Sequence, residues 1–136
     1  MLIPSVVSGV SAGLGGFALR KHWRLSSVQA SAIVALVAGL SLPYVHGEGT
    51  YLAAVCTCAS YAAMSSEETI GRPSQMAIVS GLSGLIMYIA QNCLVGVGGR
   101  LGSCAALAVL AFAGWQFAVR VFQSRWGSLR QEHSAK

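Results

Sequence analysis

The sequence predicts an all-α integral membrane protein, a bundle of about five transmembrane helices, and three observations lead there. Hydrophobic residues make up 54% of the 136 and charged residues only 10%, against roughly 25% charged in a soluble domain. Apolar stretches of membrane length recur along the chain with short polar connections between them. Aspartate is absent and glutamate occurs only at 48, 67, 68 and 132, which leaves too little polar sequence to cover one soluble core.

A spanning helix needs about 20 mostly apolar residues, with about 17 as a lower bound. The first such segment runs over about 1–19 and ends in Arg20-Lys21-His22-Trp23-Arg24. Pro4 is tolerated there because a first helical turn lacks an intrahelical partner for the missing N–H. No basic residue precedes this stretch, so the charged start of a signal peptide is missing and the segment is expected to be retained. The second covers about 27–45, carries Pro43 near its far end, and is followed by His46-Gly47-Glu48-Gly49. The third, about 50–66, is dominated by Ala, Ser, Cys and Thr and is the weakest, a short span or a re-entrant piece. The fourth covers about 76–95 after the polar connection SSEETIGRPSQ, and the fifth about 101–118. The chain thus divides into one transmembrane domain, 1–119, and a basic cytoplasmic tail, 120–136, with Arg120, Arg125, Arg130 and Lys136.

Charge placement tests the count, because Lys and Arg in short loops gather on the cytoplasmic side. Five spans with the N-terminus outside put Arg20, Lys21, Arg24, Arg72 and the tail inside, and leave Arg100 alone outside. Were the third segment not to cross, the basic first loop and the basic tail would lie on opposite faces and the asymmetry would vanish. Tyr44 and Tyr51 flank the outer connection, while Trp23 and Trp126 lie toward the inner face, where amphipathic rings favour the headgroup region. The tail can extend the fifth segment as an interfacial helix on anionic lipid or remain a solvated terminus.

A weak inverted repeat of helices 1–2 and 4–5 is expected from the pairing of Val6-Val7-Ser8-Gly9-Val10-Ser11 with Ile78-Val79-Ser80-Gly81-Leu82-Ser83. Arg24-Leu25-Ser26-Ser27 pairs likewise with Arg100-Leu101-Gly102-Ser103. Three crossings separate the two halves, the arrangement many transporters use around a midplane site. Chance similarity among small residues is the competing explanation, since the spacings differ.

The stretch QNCLVGVGGRLG, 91–102, nearly spells a dinucleotide fingerprint, but a dinucleotide site needs a strand before the glycines and an acidic residue about 20 positions later. A membrane-length apolar run precedes these glycines, and no acidic residue occurs between Glu68 and Glu132. The expectation is a helical hairpin in which Gly96, Gly98 and Gly99 relieve backbone strain and Arg100 reaches water or headgroups.

Segment four carries the most informative pattern. At 100° per residue, Ser80, Gly81, Gly84, Tyr88, Gln91 and Asn92 share an arc of about 120°, opposite Leu82, Leu85, Ile86, Ile89 and Cys93. Ser80, Gly84, Tyr88, Gln91 and Asn92 are therefore the candidate site residues, lining a substrate pathway or a helix contact; small residues and buried amides serve as interhelical glue as well.

Other constellations weigh less. Cys56 and Cys58 point about 200° apart on a helix and match no metal spacing, so no metal and no cofactor are expected. His46 and Glu48 share a loop but make no site by themselves. No ionisable residue lies deep in a predicted span, which argues against proton-coupled antiport, and the short connections hold no set for acid–base or nucleophilic chemistry, so no enzyme is expected. The net charge of +5 sits in groups flanking apolar runs, the pattern that anionic lipid attracts, and nucleic acid is not an expected partner. The expected partners are the lipid bilayer and a further copy or a second membrane subunit, since five thin spans enclose little by themselves. The expected function is a subunit or homo-oligomeric unit of a permease or channel for a neutral or weakly charged solute in the cell membrane; the alternative is a non-transporting assembly or scaffold protein.

Overall fold

The structure, a computed structural model, describes residues 2–45, 47–65, 69–93, 96 and 99–134, with side chains as far as 125. It is all-helical, without strands among the described residues: α1 (Leu2–Trp23), α2 (Ser27–Val45), α3 (Gly49–Ala62), α4 (Pro73–Ile89) and α5 (Arg100–Ser134). Three of these, α1, α2 and α5 as far as Arg125, are long and apolar enough to cross a membrane. The 17-residue α4 is apolar but shorter, and the 14 residues of α3 rise only about 21 Å.

Helix ends follow local chemistry. Ser26 and Gln29 form a reciprocal box at the start of α2, the Ser26 N–H donating to Gln29 Oε1 at 3.1 Å and the Gln29 N–H to Ser26 Oγ at 3.2 Å. At the start of α4, Pro73 holds the first helical turn while Gln75 Oε1 accepts from the N–H groups of Gly71 and Arg72. The α2–α3 corner is tight: a Cβ on buried Gly49 would stand against the Leu42 carbonyl and 2.6 Å from Pro43 Cα.

Pairs of touching residues give the helix directions. Gly13 faces Met76 and Ser80, Gly9 faces Ser80 and Gly84, and Gly84 faces Ser5, so α1 and α4 run antiparallel. Ser5 meets Tyr51 and Arg20 meets Ser65, so α1 and α3 run parallel. Cys58 meets Leu101 and Gln116 meets Thr69, so α5 runs parallel to both.

The centre belongs to α3, which alone touches all four other helices. Val55, Cys58 and Ala62 join Met76, Val79, Met87, Cys104, Ala108 and Phe112 in one core cluster, while Cys56 and Ala59 join Ala12 and Ala38 in a second. Its small, weakly apolar composition follows from this position. A helix surrounded by protein needs little lipid-compatible surface, and small side chains let four neighbours approach.

The outer surface is apolar. Leu36, Leu40, Leu107, Leu110, Trp115 and Phe117 are all more than half exposed, while Ser5, Ser31, Ser60, Ser80 and Ser83 are buried. Large hydrophobes thus lie on the exterior, unlike the surface of a water-soluble bundle, while these five serines lie inside.

One segment boundary differs from expectation, and the tail follows one of its two expected courses. α4 ends at Ile89, not near 95, because the chain tightens through successive turns in which Gln91 N–H donates to the Tyr88 carbonyl and Cys93 N–H to that of Ala90. α5 continues through residue 119 to Ser134 as one helix of 35 residues. The side of α4 expected to face outward also differs: Leu82 and Ile86 pack on the core, leaving Ile78 and Ile89 exposed.

Candidate functional site

Two places bring the sequence-selected residues together, and they differ in kind. The first is the antiparallel seam between α1 and α4, the most extensive helix contact in the molecule. A Cβ added to Gly9 would stand 2.8 Å from the Ser80 carbonyl oxygen, and one added to Gly84 would stand 2.7 Å from that of Ser5. Backbones approach this closely only where side chains are absent or minimal. The seam serines spend their hydroxyls locally: Ser80 Oγ donates to the Met76 carbonyl at 2.7 Å and Ser83 Oγ to that of Val79 at 2.9 Å. Ser80 and Gly84 thus lie in the α1–α4 contact.

The second place is a cavity of about 670 Å³ at the end of the bundle where α3 and α5 begin and α4 ends. Glu48, Thr50 and Tyr51 line it from the start of α3, Gln91 from the turn after α4, and Gly99, Arg100 and Gly102 from the start of α5. Its floor is Ala54, Tyr61 and the fully buried Met87. A second cavity of about 380 Å³ shares Tyr61 and Gly102 with it and continues past Ala105 and Val109. Together they form a groove along the α3–α5 face.

Arg100 is the basic group of this cavity. Its Nη2 donates to the Ala90 carbonyl at 2.8 Å, which ties the start of α5 to the end of α4 and places a cation on a helix C-terminus. Its Nε is buried without a hydrogen-bond partner among the described residues, a state that costs about 1–3 kcal/mol when left unrelieved. Glu48 also faces the cavity, makes no side-chain cap to α3, and forms no ion pair with Arg100. Gly99 at φ +86° and Gly96 at φ +81° take left-handed angles that only glycine adopts freely.

At the opposite end, Arg20 Nη1 donates to the carbonyls of Ala63 and Ser65, each at 3.2 Å, closing the end of α3. The described basic residues sort by end: Arg20, Lys21, Arg24 and Arg72 gather there, and Arg100 stands at the other.

The selected residues are therefore divided. Ser80 and Gly84 lie in the seam; Tyr88 is half-buried in the last turn of α4; Gln91 lines the cavity; Asn92 is exposed in the following turn. Gly98, His46, Glu67 and Glu68 fall outside the described residues. Thr50 and Tyr51 join the cavity without having been selected, because only the parallel packing of α3 on α5 turns both helix starts toward one cavity. Cys56 and Cys58 diverge, Cys56 Sγ reaching the Ser8 carbonyl and Cys58 Sγ that of Leu101. Among the described residues no three His, Cys, Asp or Glu side chains assemble into a metal-binding group. Comparison with protein-family models, curated proteins and solved structures finds no match for this chain.

Proposed function

We propose that the chain is a multi-pass protein of the cell membrane, with its N-terminus outside, and a homo-oligomeric unit of a permease or channel for a small neutral or weakly charged solute. The observation that carries this reading is the cavity of mixed polar and apolar lining at one end of an apolar-surfaced bundle, continued as a groove between α3 and α5. The groove is open along its side, so a second copy or a second membrane subunit would complete its wall. The exposed large hydrophobes support the bilayer as solvent, and the gathering of basic residues at one end supports that end as cytoplasmic. The short α3 and α4 fit this reading because a helix sheathed by neighbours need not cover the whole hydrocarbon thickness.

An inverted relation of α1–α2 to α4–α5 gains support from the contacts. Exchanging α1 with α4 and α2 with α5 leaves the set of touching helix pairs unchanged, with α3 between the halves.

A second reading is an assembly or scaffold protein. Gly102, Ser103 and Ala106 expose a small-residue patch at the start of α5, spaced as helices that take a close partner are. Solute efflux from proteoliposomes, with oligomeric mass measured on the same preparation, separates the two. The permease reading predicts efflux of small solutes above protein-free vesicles; a tight oligomer that passes none would leave the scaffold.

A further inference from the structure

The one acidic and the one basic side chain that line the cavity are not paired with each other. Arg100 has its one hydrogen bond among the described residues on a carbonyl, and it forms no ion pair with Glu48. Among the described residues, no side chain caps the first-turn N–H groups of either helix that begins here. α3 has no side-chain cap, and the residue before α5 is Gly99, which has no side chain to offer. Neither first turn contains an acidic residue. Because α3 and α5 are parallel, both helices turn their positive ends toward the same end of the bundle, and Arg100 at the start of α5 lines the cavity there. A carboxylate is the group this corner recognises: it accepts from peptide N–H groups and from guanidinium, as substrate carboxylates do at helix N-termini in membrane transporters. An anion alone would leave the Glu48 carboxylate facing it across the cavity. A solute carrying an ammonium beside its carboxylate answers both charges, and the rings of Tyr51 and Tyr61 in the same lining add faces on which a cation rests.

We infer that this cavity binds a small zwitterion of the amino-acid type, its carboxylate held by Arg100 and the first turn of α5, its ammonium by Glu48. The inference rests on the permease reading for its biological meaning and names the solute class of that same site. Binding is nevertheless measurable without transport.

The test is equilibrium binding to the full chain in nanodiscs. Glycine, L-leucine and L-phenylalanine are compared with two leucine analogues, 4-methylpentanoate, which lacks the ammonium, and 3-methylbutylamine, which lacks the carboxylate. At least one amino acid binds, and the two analogues bind about tenfold or more weakly than leucine, as expected when one charge-assisted hydrogen bond is lost. Glu48→Gln weakens the amino acid by a similar factor and leaves 4-methylpentanoate unchanged. Arg100→Gln weakens both, and Arg100→Lys restores part. Since Arg100 also secures the end of α4, the exposed and unpaired Glu48 is the decisive position. Failure of all three amino acids to bind overturns the inference, as does 4-methylpentanoate binding as tightly as leucine, which marks a simple anion site. If glycerol still leaves proteoliposomes when no amino acid binds, the permease reading stands and the zwitterion falls; binding without efflux gives the reverse.

Discussion

The α1–α4 seam and the α3–α5 cavity are built from similar residues, glycines and small hydroxyl or amide side chains, yet one is closed and the other open. In the seam, Gly9, Gly13 and Gly84 face backbone or Ser80 at contact distance. Around the cavity, Gly47, Gly99 and Gly102 have nothing within 4 Å of where a Cβ would stand. The difference lies in the opposing helix. A glycine opposite another small residue on an antiparallel neighbour removes space, whereas glycines at a helix start opposite a diverging turn create it. Small residues in a membrane-type sequence therefore mark close approach or irregular backbone, and only the partner decides which.

The largest expected effect comes from filling the seam. Gly84→Leu forces α1 and α4 apart at the Ser5 carbonyl, a destabilisation of about 3 kcal/mol or more, at the upper end for overpacking; thermal unfolding in detergent, followed by circular dichroism, measures it. Gly114→Ala, on an open face of α5, sharpens the contrast by stabilising the helix by about 0.5–1 kcal/mol. Equal melting temperatures for the two variants would break the distinction between closed and open glycines.

A smaller effect separates the two ends of the bundle. Arg20→Gln removes two hydrogen bonds to the end of α3, and Arg100→Gln removes one to the end of α4. Charge-assisted bonds are worth about 1.5–3 kcal/mol each, so Arg20→Gln lowers the unfolding midpoint more. The reverse order would mean that the cavity arginine is the stronger structural tie.

The smallest effect is at Asn92. It stands exposed beyond the end of α4, so Asn92→Leu changes stability by no more than about 0.5 kcal/mol and leaves the oligomeric mass unaltered by size-exclusion chromatography with light scattering. Loss of assembly in this variant would return Asn92 to a helix contact.

Much of the helical order is readable from hydropathy, because the three long apolar helices satisfy the length rule by themselves. α3 is the instructive case. A segment of Ala, Ser, Cys and Thr reads as weak when lipid is the assumed neighbour, but its neighbours are four other helices, and small residues suit them. The end of α4 is lost to sequence reasoning for a different reason. Periodicity carries Gln91 and Asn92 along the helix face, whereas the turns after Ile89 carry them off it, which moves Gln91 from the seam side to the cavity. The likeness between residues 6–11 and 78–83 has a physical source apart from duplication, since these two stretches pack on each other and face the same demand for small side chains. Arg100 and Glu48 are each visible in the sequence as loop charges; only the parallel packing of α3 and α5 joins them.

The most direct measurement is thiol accessibility in proteoliposomes at one position of each region, on a Cys93→Ser background, since Cys93 is exposed while Cys56, Cys58 and Cys104 are buried. Gln91→Cys reacts rapidly with a charged methanethiosulfonate, and the reaction slows solute efflux; Ser80→Cys stays unlabelled and leaves efflux unchanged. Labelling of Ser80→Cys as fast as that of Gln91→Cys, with efflux blocked from the seam, would contradict the division of the molecule into a dry contact and an open cavity.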